Sequence, residues 1–120
     1  MKIESYEKLI VWQKSMDLVI AVYTLTKRFP RDEVYSLISQ MRRSAVSIPS
    51  NIAEGSRRGT RKDFRNFLLI AYGSGAELET QMKLAQRLSY GSIEDYAKAN
   101  TLLDEVMRML NKFTHELNDL

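Results

Sequence analysis

The chain has no cysteine. That excludes disulfides, thiolate metal sites and a cysteine nucleophile, and it suits a reducing cytoplasm. It has one histidine, His115, beside Glu116. A single histidine cannot supply the paired Glu-x-x-His motifs of a di-iron bundle, and nothing at readable spacing couples His115 to a nucleophile. With two prolines and five glycines there is little turn chemistry, so the elements are long and an all-β fold is disfavoured. The longest apolar runs, among them Phe67 to Tyr72, fall far short of the ~20 residues of a membrane span. The opening MKIESYEKL is too polar for the apolar core of a signal peptide. Gly55-Ser-Arg-Arg-Gly59 lacks the spacing and the Lys-Ser/Thr end of a phosphate-binding loop. Gly73-Ser-Gly75 falls inside a helical period and not after a strand, so it is no dinucleotide fingerprint. The expectation is a cytoplasmic protein, one domain over residues 1–120, with no membrane contact, cofactor, metal or catalytic residue.

Four amphipathic segments are what the sequence does contain. The first spans about Tyr6 to Phe29 and carries two apolar rows. Leu9, Trp12, Met16, Val19, Ile20 and Tyr23 step by three and four; Val11, Leu18, Val22, Leu25 and Phe29 form the second row. A helix apolar on two sides is either central in a bundle or meets another subunit. Pro30 stops it. The second segment begins near Asp32, a candidate N-cap, and Val34, Leu37, Ile38, Met41, Ala45, Ile48 and Ile52 hold one face across Pro49. The unbroken phase predicts one helix kinked at Pro49, with Gly55 and Gly59 offering left-handed geometry at its end. The third starts at Thr60, with Asp63 in capping spacing, and runs to Gly91. Gly73 and Gly75 within it predict close approach of another helix. The fourth opens with Ser92 as N-cap, and its face is Tyr96, Ala99, Leu103, Val106, Leu110, Phe113 and Leu117. Short connections make consecutive helices antiparallel, so the fold class is all-α: an up-down-up-down four-helix bundle with a Pro-kinked second helix.

Two constellations stand out. Ser44, Ser47, Asn51 and Glu54, with Gln40, form a polar stripe on the second helix, and Ser74, Glu77 and Thr80 on the third are its natural partners. A hydrogen-bonded interhelical layer is the favoured reading; a small-molecule pocket is the other. The second constellation is basic. Arg42, Arg43, Arg57, Arg58, Arg61, Lys62 and Arg65 face only Glu54 and Asp63 within residues 42–65, seven charges against two, or +5. Residues 91–120 carry Lys98, Arg108 and Lys112 against Glu94, Asp95, Asp104, Glu105, Glu116 and Asp119, three against six, or −3. The basic cluster can contact nucleic-acid phosphates. No aromatic platforms interleave with it, so sequence-specific recognition of single strands is not indicated.

The stretch Ser47-Ile-Pro-Ser-Asn-Ile-Ala-Glu-Gly55, preceded by Arg42-Arg43, resembles the signature of bacterial four-helix-bundle proteins encoded in intervening sequences of large-subunit ribosomal RNA genes, often labelled ribosomal-protein-like. Tyr6-Glu-Lys-Leu-Ile-Val-Trp12-Gln-Lys looks like that family's opening, and Gly73-Ser-x-x-Glu77-Leu-Glu-Thr80 like its third-helix motif. Gly75 departs from the pattern, where a larger apolar residue is commoner. The resemblance covers nearly the whole chain. It implies an antiparallel bundle, commonly a ring-like homopentamer, without enzymatic activity and without a constitutive place in the ribosome. The chain is also similar to the accessory variability protein of diversity-generating retroelements, a basic bundle that engages nucleic acid and a reverse transcriptase. The expected partners are therefore further copies of the chain, RNA or DNA, and a polymerase-type protein. The alternative is an interaction scaffold with no direct nucleic-acid role.

Overall fold

The computed structural model describes residues 5–118; the first four residues of the opening stretch, and Asp119 of the acidic stretch, lie outside them. Four α-helices account for most of the described chain, which contains no strand. Ser5 accepts a hydrogen bond from the Glu7 N–H and starts a single 3-10 turn, Tyr6–Lys8. Leu9 is extended, and helix α1 follows as Ile10–Thr26. It stops three residues before the expected Phe29. The Thr26 hydroxyl donates to the Val22 carbonyl, and the Lys27 N–H closes on Tyr23. Phe29 lies beyond the helix yet is buried.

Of the two apolar rows on α1, the second is the core. Val11, Leu18, Val22 and Leu25 are buried with Ala21, whereas Met16, Ile20 and Tyr23 of the first row stand open to solvent. Periodicity detects both rows and cannot rank them. The small residues Ser15 and Ala21 flank the second row and let neighbouring helices close on it.

The start of the second segment also differs from expectation. Pro30 leads into a 3-10 turn, Arg31–Glu33, and then a π-helical turn, Val34–Ile38, before helix α2, Ser39–Ser56. Asp32 caps nothing: the 3-10 turn begins at Pro30 with no side-chain cap. The wider π turn shifts the phase, so Leu37 and Ile38 go inward while Val34 turns out. From Met41 onward the predicted face holds, with Ala45, Ile48 and Ile52 wholly buried. Helix α2 continues without a break through Pro49, which is itself buried.

Helix α3, Arg61–Arg87, starts where expected: the Thr60 hydroxyl accepts from the Asp63 N–H at 3.1 Å. It ends with Ser89 and Gly91 both at positive φ. Ser92 then accepts from the Asp95 N–H, and helix α4 runs Ile93–Asn118. Each helix packs against two others: α2 lies on α1 and α3, and α4 lies on the same two. Side-chain bonds tie the seams together, and across α2–α3 and α3–α4 the pairs run in opposite order. Thr26 meets Arg42, Ser47 meets Ser74 and Ser44 meets Glu77, Arg65 reaches Thr114, and Lys14 pairs with Glu105. The enclosed core includes Leu18, Leu25, Met41, Ile48, Leu68, Leu78 and Leu110 at or near complete burial. Each such side chain contributes about 1.5–3 kcal/mol.

The least yielding contact at a glycine falls on an unexpected position. Gly55 does not end α2 in left-handed geometry; it lies within the helix and faces α3. A Cβ there would sit 2.6 Å from Phe67 Cβ and 3.3 Å from the Phe64 carbonyl oxygen. Gly75 does meet another helix, through the flexible Met107 side chain of α4, whereas Gly73 has open space around it. Phe67 Cβ is anchored to its own helix and cannot swing away. Gly55→Ala is therefore expected to destabilise the fold by about 1–3 kcal/mol through overpacking. Gly73→Ala is expected to stabilise it by up to about 1 kcal/mol. Urea denaturation midpoints of the two variants measure this; equal midpoints would contradict the close approach at Gly55.

Candidate nucleic-acid interface

The polar stripe of α2 meets α3 through hydrogen bonds. Ser44, buried, donates to Glu77 Oε1 at 3.2 Å; the Ser47 and Ser74 hydroxyls lie 2.8 Å apart; Asn51 Nδ2 donates to the Ser47 carbonyl at 2.7 Å and to its hydroxyl at 2.9 Å. Glu54 is not part of this set. Its carboxylate reaches Arg58 at 2.7 Å on the surface, because it stands one turn before Arg58 on the exposed side of the helix end. Gln40 is exposed, and Thr80 turns back to its own helix at Ala76. Beside the layer lies a small cleft of about 260 Å³ lined by Gln40, Arg43, Ser44, Ser47, Glu77 and Gln81, where the Gln81 Oε1 is buried without a partner.

The seven basic candidates fall into two groups. Arg42 and Arg57 are fifteen positions apart along α2, about 22 Å at the helical rise. At the α2–α3 corner, Arg57, Arg58 and Lys62 are exposed. Arg57 lies over the Tyr6 ring at 5.4 Å, and Arg58 over Phe67 at 4.8 Å while bonded to Glu54. Stacking holds the two guanidiniums in place without itself neutralising them, while the Glu54 carboxylate offsets part of the Arg58 charge. Arg61 and Arg65 face inward. Arg61 Nη2 donates to the Glu116 carbonyl at 3.3 Å and Arg65 Nε to the Thr114 carbonyl at 3.1 Å. Both thus bind carbonyls in the last turns of α4, where the helix dipole favours cations. His115 is exposed, with Nδ1 2.7 Å from the Asn111 carbonyl.

The second basic group belongs to a groove that sequence reasoning missed. The end of α1, the 31–38 segment and the first turns of α2 border an open groove of about 800 Å³, lined among others by Tyr23, Thr26, Lys27, Arg31, Val34, Arg42, Arg43 and Val46. Arg42 Nε donates to the buried Thr26 hydroxyl at 2.9 Å, and its guanidinium lies 4.3 Å from the centre of the Tyr23 ring. The lining includes four cations and no carboxylate. Glu33, next to it in sequence, turns away to the hydroxyls of Ser36 and Tyr90, which hold its carboxyl below the usual range. The same bond pushes the Tyr90 phenol up. The available signal was Lys27-Arg28-Phe29-Pro30-Arg31, three cations around a helix stop. Among the described residues no cluster of His, Cys, Asp or Glu is arranged to hold a metal ion. No helix among them is long and apolar enough to cross a membrane.

The chain is similar in structure to a protein of unknown function from the S23 ribosomal protein family of Bacteroides thetaiotaomicron VPI-5482. The identity is 28%, the TM-score 0.77, and the match covers 88% of this chain and 98% of that one. No curated protein matches the sequence. Residues 7–112 match the family described as 23S rRNA-intervening sequence protein, and with that span the chain belongs to this family.

Proposed function

We propose that the chain is a non-enzymatic, oligomeric nucleic-acid-binding protein that contacts RNA or DNA backbone phosphates at the α2–α3 corner. The observation that carries this reading is the exposure of Arg57, Arg58 and Lys62 on one short, well-braced connection. Gly59 at φ +89° turns the chain, Thr60 caps α3, and the two arginines rest on aromatic rings. Fixed cations lose little freedom on meeting phosphate, and the N-terminus of α3 adds to the positive potential. Arg61 and Arg65 contribute charge while anchoring α4. One corner makes few contacts, so useful affinity comes from several copies acting together. The open residues Met16 and Ile20 on α1 support self-association, and a ring of five is the form the resemblance implies. The same residues favour the second reading, a scaffold whose ligand is another protein, such as a polymerase.

Fluorescence anisotropy with labelled RNA and DNA separates the readings. Binding is expected at ~20 mM salt and is expected to fall steeply as salt rises. Arg57→Glu, Arg58→Glu and Lys62→Glu together should abolish it with the assembly intact; Arg61 and Arg65 are left alone because they hold α4. Absence of binding at low salt, with a protein partner recovered instead, would make the scaffold the correct reading.

Self-association has a separate check. Light scattering at micromolar concentration is expected to give an oligomer, and Ile20→Glu to shift it toward smaller species by placing a charge in the apolar row. A clean monomer for the unaltered chain would refute the oligomer.

A further inference from the structure

We propose that the groove between α1, the 31–38 segment and α2 is a binding site for a nucleoside phosphate, with Arg42 as its phosphate receptor. This site is separate from the α2–α3 corner, and the inference does not rest on the reading given to that corner.

Arg42 carries the argument. A guanidinium has five N–H donors. One of these, on Nε, is spent on Thr26, whose side chain is in turn fixed by the Val22 and Tyr23 carbonyls. The ring of Tyr23 supports the guanidinium plane from one side. The four N–H bonds of the terminal nitrogens have no partner among the described residues. A planar fork held by its stem, with both tips free, suits a phosphate that can accept two parallel bonds. Lys27, Arg31 and Arg43 are exposed around the same space. Four cations without a lining carboxylate far exceed what a single carboxylate ligand would balance, and they favour the higher charge of a phosphate dianion.

The remaining wall sets the organic part. Tyr23, Val34 and Val46 are 40%, 44% and 39% exposed, and all three border the groove. Inorganic phosphate would leave them uncovered. Phe29 and Ile38 also line the groove but are buried, so the apolar surface a ligand meets is mainly one ring and two valines, a short track for an acyl chain. A nucleoside is flat, partly apolar and of the right size, since an 800 Å³ space falls within the ~300–1,000 Å³ of small-molecule sites. The π-helical turn Val34–Ile38 forms part of this wall, and such turns cluster at functional sites.

The phosphate could come from a free nucleotide or from the end of a nucleic-acid strand. Isothermal titration calorimetry on the full chain distinguishes them. The probes are the four ribonucleoside 5′-monophosphates, the corresponding nucleosides, inorganic phosphate, and a hexanucleotide with and without a 5′-phosphate. At least one monophosphate is expected to bind about tenfold or more tighter than both its nucleoside and inorganic phosphate. Lys27→Ser, Arg31→Ser and Arg43→Ser together should weaken that binding about tenfold or more while leaving the thermal melt unchanged, because these side chains are exposed. The corner variant with Arg57, Arg58 and Lys62 changed to Glu should bind the monophosphate as the unaltered chain does. Tighter binding of the 5′-phosphorylated hexanucleotide, lost in the groove variant, assigns a strand end; tighter binding of the monophosphate assigns a free nucleotide. No heat with any monophosphate at millimolar concentration overturns the proposal. So does binding that the groove variant leaves intact, or inorganic phosphate binding as tightly as every monophosphate.

Discussion

The approach of α2 to α3 at Gly55 is the constraint on which the rest of the bundle depends. With no side chain at that position, the α2 backbone lies directly against Phe64 and Phe67. One to three turns back along α2, the same seam carries the Asn51–Ser47–Ser74 contacts and then the Ser44–Glu77 bond. A one-turn slip of one helix along the other would bring a side chain of α2 against Phe64 and Phe67 in place of Gly55. It would also break the Ser47–Ser74 and Ser44–Glu77 contacts, at about 1–3 kcal/mol for each buried hydroxyl left unpaired. Packing and hydrogen bonding thus both fix the register of the seam. The corner that carries Arg57, Arg58 and Lys62 begins right after this contact, so its geometry is inherited from the seam.

The cations divide by what their donors already do. Arg61 and Arg65 bind α4 carbonyls, and Arg42 joins α2 to α1 through Thr26 and Tyr23. Arg57, Arg58 and Lys62 face outward at one end of α2, and Lys27, Arg31 and Arg43 near the other. A molecule about 46 Å long therefore carries two basic regions, each braced by aromatic stacking. Arg42 belongs to both categories: the bonds that fix it to the fold are what aim its free end.

Much of this was legible in the sequence, where the physics is local. Thr60 and Ser92 were readable as caps because capping depends on residues three apart. The faces of α2 beyond Met41 and of α4 followed from their period, and the pairing of Ser44 and Ser47 with Glu77 and Ser74 followed from neighbouring helices, whereas Asn51 bonds to Ser47 on its own helix. What could not be read depended on contacts between distant segments. Both α1 rows are apolar, so only packing decides which goes inward. Gly55 looked like a helix end because a glycine near arginine and serine has no local signal for a partner helix. The π turn displaced Asp32 and Val34 from their expected roles, and with them arose a groove built from three separate stretches.

The central claim is that the most recognisable stretch, Ser47 to Gly55, serves architecture while the cations at its borders serve binding. Comparing Asn51→Ala with Lys62→Glu in one pair of assays, thermal melting and nucleic-acid affinity, tests it most directly. The account predicts that Asn51→Ala lowers the melting temperature by a few degrees, about 1 kcal/mol, with affinity unchanged where the protein remains folded. It predicts that Lys62→Glu leaves the melt unchanged and weakens binding. An Asn51→Ala protein that melts normally yet loses its affinity would contradict it.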